Sequence, residues 1–206
     1  MTAAAVPLSR RTVLADALVG QRTLVKDLLL VTAGITVVAA LAQVEIPMWP
    51  VPITGQTLGV MLVAASLGFR RGVAALGGYL LLGLAGAPIF AGFTGSIAAL
   101  GKPSFGYIIG FVATAAVVGW LAERRWDRKP LLAVALFGLA SLIPFVFGIP
   151  YMAMMLAALG SPVDVAGAMA LGFLPFIVGG LVKWAIAAAA LPAAWAGVRA
   201  LDRAAD

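Results

Sequence analysis

The sequence predicts an all-α integral membrane protein with six transmembrane helices and both termini in the cytoplasm. Hydrophobic residues make up 63% of its 206 residues and charged residues only 11%, and the mean hydropathy is +1.09. A soluble domain of this length could not bury so much apolar surface. The pI is near 10.3, but the cations stand between apolar blocks instead of lining one wet face, which argues against a nucleic-acid-binding patch.

The first observation behind this fold class is a set of six apolar runs near the length that crosses a bilayer, about 20 residues. The second run is short for a span, so we expect it to pack inside the bundle or to be continued by an ordered loop before it. Residues 1–25 are expected to form a cytoplasmic tail, 26–198 the membrane domain and 199–206 a second cytoplasmic tail. The six runs are 26–44, 56–69, 72–89, 104–121, 130–149 and 175–196.

The second observation is the placement of charge. Twelve of the 14 basic residues fall into four clusters, which lie on one side of the membrane if successive helices alternate in direction. The positive-inside rule makes that side the cytoplasm, which predicts a multi-pass protein of the inner membrane with both termini inside. The clusters are Arg10, Arg11, Arg22 and Lys26; Arg70 and Arg71; Arg124, Arg125, Arg128 and Lys129; and Arg199 and Arg203.

The third observation is the composition of the loops on the opposite side. These loops are long and apolar, and they carry Glu45, Lys102 and Asp164 as their charged residues. These loops are rich in Gly, Pro and aromatic residues, which is not the composition of solvent-exposed loops that only connect helices. We interpret them as a lid over a cavity; they span 45–55, 90–103 and 150–174.

The sequence argues against most catalytic chemistry. It contains no cysteine and no histidine, which excludes disulfides, thiol catalysis and an imidazole base. The string GSIAALGKPS resembles a phosphate-binding loop, but Ser96 replaces its first glycine and Pro103 its hydroxyl residue, so it does not match the ATP-binding pattern. We therefore expect no enzyme activity and no cofactor, and any ATP must be bound by a partner.

One charge lies inside the sixth run, in FIVGGLVKWAIAAAALPAAW. Counted from Pro175, Lys183 is about 12 Å into its helix, where an ammonium in hydrocarbon costs roughly 2.5 to 3.5 kcal/mol or more. Its helical neighbours are glycines and alanines, and no acidic residue lies in the interior of any run. We interpret Lys183 as a contact to a polar or anionic ligand; the alternatives are snorkelling to the outer interface or a pairing that only holds the bundle.

Other strings supply further candidate binding residues. In EIPMWPVPITGQTLG, three prolines forbid a regular helix, so this segment can form a stiff cover with an aromatic wall and neutral hydrogen-bonding groups. Aromatic residues also follow in GGYLLLGLAGAPIFAGFTG, in SFGYIIGF and in the last outer loop. An interfacial aromatic belt and small-residue helix packing are the alternative explanations. The candidates are Trp49, Gln56, Tyr79, Phe90, Phe93, Tyr107 and Tyr151.

Four strings, in this order, resemble the BioY family: PVPITGQTLGVMLVAASLGFRRG, GGYLLLGLAGAPIFAG, GYIIGF and PFIVGGLVKW. BioY proteins are the biotin-specific substrate-binding subunits, or S-components, of energy-coupling-factor (ECF) vitamin transporters. The resemblance covers about residues 26–196. It implies a six-helix S-component bundle and biotin captured from the outside under the loop before helix 2 and the loop between helices 3 and 4.

The resemblance also has consequences for single residues. The family pattern around the helix 6 lysine is usually Gly-Asp-x-x-Lys, whose two polar residues help to bind the ureido end of biotin; Lys183 matches, but Gly180 stands at the aspartate position. Charge pairing alone would favour the carboxylate end, so both orientations stay open. Thr32, Thr36 and Ala40 resemble the small-residue stripe that S-components present to their coupling protein, with packing inside the chain as the alternative.

The predicted function is therefore high-affinity biotin binding and biotin uptake, as the substrate-specific subunit of an ECF transporter. The predicted partners are biotin, membrane lipid and a module of one transmembrane coupling protein and two ABC ATPases, without nucleic acid. One alternative is a stand-alone secondary transporter, which should show paired intramembrane acids or half-helix repeats. Another is an intramembrane enzyme, for which Lys183 and hydroxyl groups are the only acid–base candidates in the spans.

Overall fold

A computed structural model describes residues 13–19 and 23–205, and nearly all of the apolar sequence in these ranges is helical. Two short strands, β1 (Glu45–Ile46) and β2 (Ile53–Thr54), pair antiparallel. In the described part of the chain, five helical stretches are long and apolar enough to cross a membrane. The helices are α1 (Leu14–Val19), α2 (Leu24–Ala42), α3 (Gln56–Leu84), α4 (Phe105–Glu123), α5 (Pro130–Ala158), α6 (Val165–Gly172) and α7 (Ile177–Ala205).

Helix α3 folds back on itself at Gly68, which has the left-handed φ of 81° and a ψ of −174°. A Cβ atom on Gly72 would lie 3.3 Å from the Cα of Ala64, whereas residues eight apart in a straight helix are about 12 Å apart. The side chains of Gln56 and Tyr79 are also hydrogen bonded. Residues 56–67 and 69–84 are therefore two antiparallel arms, which correspond to the second and third predicted runs.

Gly68 is suited to this turn for two reasons. Its φ lies in the region that favours glycine, and a Cβ atom there would approach Glu123 Oε1 to 2.8 Å. The Glu123 carboxylate accepts the backbone N–H of Phe69 at 3.0 Å, so it holds the first turn of the second arm. The first arm is mostly buried, in agreement with the expectation that the short second run packs inside the bundle.

The prediction that the fifth helix ends before Pro150 is wrong. Helix α5 continues through Pro144 and Pro150 to Ala158, because helices in a membrane bundle tolerate proline where neighbouring groups compensate for the lost backbone bond. A Cβ atom on Gly110 would lie 2.8 Å from Pro144 Cα, so α4 comes close to the helix at one of these prolines. The loop predicted over 150–174 consequently begins with helix and also contains α6.

Helix α2 lies at the periphery of the bundle, with only three residues buried. Thr32, Thr36 and Ala40 are all exposed on it, so the alternative that this stripe packs inside the chain is wrong. The Thr36 hydroxyl donates only to its own helix, to the Thr32 carbonyl at 3.0 Å. The stripe thus faces away from the protein.

The described residues of the four basic clusters lie at one end of the molecule, which we call the basic end (residues 13–19, 68–71, 123–129 and 195–203). Here Arg71 pairs with Asp16 at 2.8 Å and with Asp27 at 2.5 Å, tying α1 and α2 to the turn of α3. Trp195 Nε1 donates to the buried Asp127 at 2.5 Å. Arg10, Arg11 and Arg22 lie outside the described residues.

Candidate ligand-binding site

A cavity of about 380 Å³ lies at the opposite end, which we call the cavity end (residues 43–57, 89–108 and 173–184, with the facing part of α5). Its walls come from the β1–β2 segment, the start of α3, the loop after α3, and α4, α5 and α7. Most of the lining is apolar, with a few polar groups among it. This is the composition of small-molecule sites, whose volumes are typically about 300 to 1,000 Å³.

Lys183 reaches this cavity from α7. The helix begins at Ile177, which places the lysine about 9 Å from its start. Its Nζ atom donates to the Thr54 carbonyl at 2.5 Å and to Thr57 Oγ1 at 3.1 Å. No carboxylate among the described residues forms an ion pair with it. Because an ammonium has three donors, one is available to a molecule in the cavity.

The acceptors of Lys183 are set in place by the backbone of the first outer loop. The antiparallel pairing opposes Glu45 and Thr54, and the Gly55 N–H donates to the Val44 carbonyl at 2.8 Å. A Cβ atom on Gly55 would lie 2.7 Å from the Leu41 carbonyl oxygen, so only glycine fits where this loop enters α3. Hydrogen bonds of this loop therefore link the end of α2 to Lys183 of α7.

Gln56 lines the cavity and is held by two side chains. Its Nε2 donates to Tyr79 Oη at 2.7 Å, and its Oε1 accepts from Thr54 Oγ1 at 2.8 Å. Tyr79 in turn donates to the Ile89 carbonyl at 3.0 Å. Tyr79 is fully buried and does not line the cavity, so the structure places it behind the cavity wall. It orients Gln56 instead.

Aromatic side chains form much of the cavity wall. Trp49, Phe90 and Tyr107 line it, as their sequence positions indicated. Phe90 packs edge-on against Tyr79, with ring centroids 5.3 Å apart, and a Cβ atom on Gly83 would lie 2.1 Å from its ring. Gly83 therefore makes room for a wall residue. The sequence analysis missed four further wall residues, Phe105, Phe111, Phe145 and Phe176.

Two of the aromatic candidates lie outside the cavity lining. Phe93 is 71% exposed and does not line the cavity; its backbone has a positive φ of 52°. Tyr151 is also absent from the lining. Because α5 continues through this residue, its hydroxyl donates to the Leu100 carbonyl at 2.6 Å and its ring packs against Phe105. Tyr151 therefore supports the outer loop that contains Leu100.

Gln43, at the end of α2, was also missed. Its Nε2 donates to the Ala39 carbonyl at 3.0 Å and the Phe90 carbonyl at 3.2 Å, and its Oε1 accepts the Phe93 N–H at 2.9 Å. One side chain thus fastens the loop that carries Phe90. Because the two loop partners lie 47 and 50 residues away in sequence, no local pattern indicates the contact.

The mouth of the cavity carries two of the three charged residues of the outer loops. Glu45 and Lys102 both line it, and Lys102 Nζ donates to Thr94 Oγ1 at 3.2 Å. Gly180 lines the inner wall one helical turn before Lys183, and a Cβ atom there would meet nothing within 4 Å. No group of three or more potential metal ligands occurs among the described residues.

The sequence and the fold are both similar to those of known proteins. The model of the BioY family matches residues 10–200. The chain belongs to the BioY family. The resemblance seen in the four sequence strings is thereby confirmed, and membership identifies the chain as a membrane transport subunit rather than an enzyme.

Two relatives of this BioY family member extend over most of both chains. The "Biotin transporter BioY" of Thermotoga maritima is 36% identical over 161 residues, which cover 77% of this chain and 90% of that protein. The "Biotin transporter BioY" of Rhizobium etli is 35% identical over 173 residues, covering 79% and 89%. A solved structure of the S-component for biotin from an ECF-type ABC transporter has a TM-score of 0.63 at 23% identity, covering 84% of this chain and 93% of that one, and this likeness shows the fold.

Proposed function

We propose that the chain binds biotin in the cavity from the outer side of the cytoplasmic membrane and serves biotin uptake as the substrate-specific subunit of an ECF transporter. The observation that carries the proposal is the Lys183 ammonium. It is held by neutral acceptors beside an aromatic-lined cavity. The identity of the ligand is inferred from the relatives that are named biotin transporters.

The chemistry of biotin suits this lining. Its fused rings can pack on Trp49, Phe90 and Tyr107, while the ureido group needs both donors and acceptors. Gln56 has one N–H beyond the bonds described, and Lys183 has a third donor. Either the ureido oxygen or the valerate carboxylate can accept from Lys183, and a charge-assisted bond is the stronger type.

In the membrane we propose six spans with both termini in the cytoplasm. The two antiparallel arms of α3 supply the second and third spans, and the gathered cations of the basic end face the cytoplasm by the positive-inside rule. This orientation turns the cavity end outward. The exposed stripe of Thr32, Thr36 and Ala40 on α2 is the proposed contact to the transmembrane coupling protein, whose two ABC ATPases supply energy.

The binding experiment compares biotin, thiamine and riboflavin on the detergent-purified chain, by radioligand binding and thermal shift. Biotin alone is expected to bind and to raise the unfolding temperature, because binding to the native state stabilises it. Equal shifts with all three vitamins, or none with biotin, would overturn the assignment of the ligand.

Coupling is tested separately in proteoliposomes. Uptake of biotin should require co-reconstitution with an ATPase module and ATP, and it should be insensitive to an ionophore. Uptake by the chain alone that an ionophore abolishes would replace the ECF assignment with a stand-alone secondary transporter. A Thr36→Leu variant should lose coupled uptake while retaining biotin binding, because the bulkier side chain prevents close helix approach.

A further inference from the structure

A second pocket adjoins the proposed biotin site. It has a volume of about 340 Å³ and lies between α5 and the α6–α7 region. Four residues line both this pocket and the main cavity: Ser141, Phe145, Phe176 and Gly180. We call it the side pocket. The proposed function does not use it.

The side pocket is suited to an apolar group. Its lining has only two polar side chains, Ser141 and Trp184. The Ser141 hydroxyl donates to the Phe137 carbonyl at 2.8 Å, and Trp184 Nε1 donates to the Val134 carbonyl at 2.7 Å. Because both donors are already bonded to backbone, a hydrogen-bond acceptor on a ligand would lose its water there without a partner. An aliphatic group loses no hydrogen bond there, and it becomes partly buried in a pocket whose lining residues Leu142 and Leu181 are exposed.

Gly180 is the gap in the wall between the two spaces. A Cβ atom at this position would meet nothing within 4 Å, although the residue lies on α7 between Phe176 and Lys183, one turn from each. The other three shared residues carry side chains. Any larger residue at 180 would therefore project into the space where the cavity and the side pocket adjoin.

We infer that Gly180 is a specificity-determining residue, which lets the site accept biotin derivatives carrying an aliphatic extension at the carboxyl end. The polar head occupies the main cavity beside Lys183, and the aliphatic chain passes Gly180 into the side pocket. This inference rests on the proposed function. It widens the ligand class from biotin to its neutral amides and esters with aliphatic chains.

The test uses two uncharged ligands, biotin methylamide and biotin hexylamide, so that both lack the carboxylate equally. Binding to the purified full-length chain is measured by competition with radiolabelled biotin. Each buried methylene contributes roughly fourfold in affinity, so the hexylamide should bind the wild type at least tenfold more tightly than the methylamide. In Gly180→Leu the ratio of the hexylamide affinity to the methylamide affinity should fall close to one, and this ratio is the readout because Gly180 also lines the main cavity.

The matched control is Gly77→Leu. Gly77 is also a helical glycine whose added Cβ atom would meet nothing within 4 Å, but it lies on the second arm of α3, remote from both spaces. This variant should bind the hexylamide more tightly than the methylamide by the same factor as the wild type does. Gly180→Ala should lose part of this factor, which supplies a milder substitution in case Gly180→Leu does not fold.

Several results would overturn the inference. If the hexylamide gained the same affinity over the methylamide in the wild type and in Gly180→Leu, its aliphatic chain would be partitioning into detergent or lipid and not into the side pocket. A hexylamide that binds the wild type no better than the methylamide would show that the side pocket is closed or already holds a lipid acyl chain. Loss of binding of biotin itself in the wild type would instead refute the proposed function, so the two failures are distinct.

Discussion

The two ends of the bundle differ in how a buried or half-buried cation is paired. At the basic end, the Arg71 guanidinium is met by two carboxylates, those of Asp16 and Asp27. At the cavity end, the Lys183 ammonium is met by a carbonyl and a hydroxyl. The first arrangement is neutralised from within the protein, and the second is not.

The difference indicates what each end is for. Ion pairs with internal partners hold segments together, and removing one partner leaves an uncompensated charge. An ammonium that has only neutral acceptors and an adjoining cavity retains its capacity for a further acceptor. Substitutions at the basic end should therefore change the free energy of unfolding but not the ligand affinity. Substitutions at the cavity end should change the ligand affinity with little effect on the free energy of unfolding.

The largest effect is expected from Arg71→Met at the basic end. Methionine keeps much of the apolar stem but leaves Asp16 and Asp27 without the guanidinium that joins them. Removal of one partner from a buried ion pair costs roughly 3 to 5 kcal/mol. The free energy of unfolding in detergent should fall by about that amount, while biotin affinity at low temperature stays within about threefold.

Arg70→Met is the matched control, because Arg70 is the adjacent residue and is exposed. Exposed charges contribute roughly 0 to 1 kcal/mol, so its unfolding curve should nearly overlay that of the wild type. Equal losses in the two variants would show that net charge, and not the buried pairing, stabilises this end.

The second prediction concerns Asp127, which lies between α4 and α5 and is fully buried. Burial raises the pKa of Asp127 to about 6, although the bond from Trp195 and the charge of Arg128 act against that rise. The native carboxyl thus holds its proton more tightly than the unfolded one, so this group makes stability fall as pH rises from about 4 to about 6. A pKa difference of this size corresponds to about 2 to 3 kcal/mol.

Asp127→Asn should remove this pH dependence, because the amide oxygen can still accept from Trp195 but does not ionise. The unfolding temperature of the variant relative to the wild type should rise between pH 4 and pH 6 and then level off. Asp164→Asn is the control, since Asp164 is an exposed N-cap of α6 and asparagine caps equally well. A constant difference for Asp127→Asn across this range would contradict the assignment.

Much of the fold could be predicted because hydropathy and charge act over whole segments. The break at Gly68 lies next to the Arg70 and Arg71 pair, and the sequence indicated it. The end of α5 could not be predicted, since proline normally stops a helix in water but is tolerated inside a membrane bundle. The pairing of Arg71 with Asp16 and Asp27 could not be predicted either, because a count of cations does not reveal which of them have a buried partner.

The candidate site was predictable only in part. Lys183 is recognisable because a single charge in an apolar run is costly. Phe111 and Phe145 could not be selected, because an apolar residue in a span has the same sequence signal whether it lines a cavity or fills the core. Gln43 depends on contacts with a distant loop. The sequence does not contain the interatomic distances that distinguish the residues lining the cavity from the residues that support them.

The third prediction tests Lys183 by the substitution Lys183→Ala. Hydrogen bonds to charged groups contribute roughly 1.5 to 3 kcal/mol, so biotin affinity should fall about 10- to 100-fold. The unfolding temperature without ligand should change little, because the remaining acceptors, Thr54 and Thr57, lie beside the cavity. Equilibrium binding of radiolabelled biotin measures the effect.

Lys102→Ala is the control for charge at this end. Lys102 also lines the cavity, but it is exposed and donates to Thr94, where solvent screening weakens its effect. We expect less than a threefold change in affinity. An unchanged affinity in Lys183→Ala, or a larger loss in Lys102→Ala, would remove the unpaired ammonium from its proposed role.

The smallest effect is expected for Gln43→Leu, which tests the fastening of the loop that carries Phe90. Leucine removes the bonds to the Phe90 carbonyl and the Phe93 N–H, and single hydrogen bonds contribute about 0.5 to 1.5 kcal/mol. The loop should open more often, so biotin should dissociate about 3- to 10-fold faster, with the association rate nearly unchanged. Rapid-mixing measurements with excess unlabelled biotin give the dissociation rate.

Thr36→Val separates this effect from a general change in α2, because the Thr36 hydroxyl bonds only within that helix. Its dissociation rate should match that of the wild type. Gln43→Glu should fall closer to Gln43→Leu than to the wild type, since a carboxylate can still accept the Phe93 N–H but no longer donates to the Phe90 carbonyl. If Gln43→Leu instead lowered the unfolding temperature and left the dissociation rate unchanged, Gln43 would belong with the structural contacts of the basic end and not with the binding site.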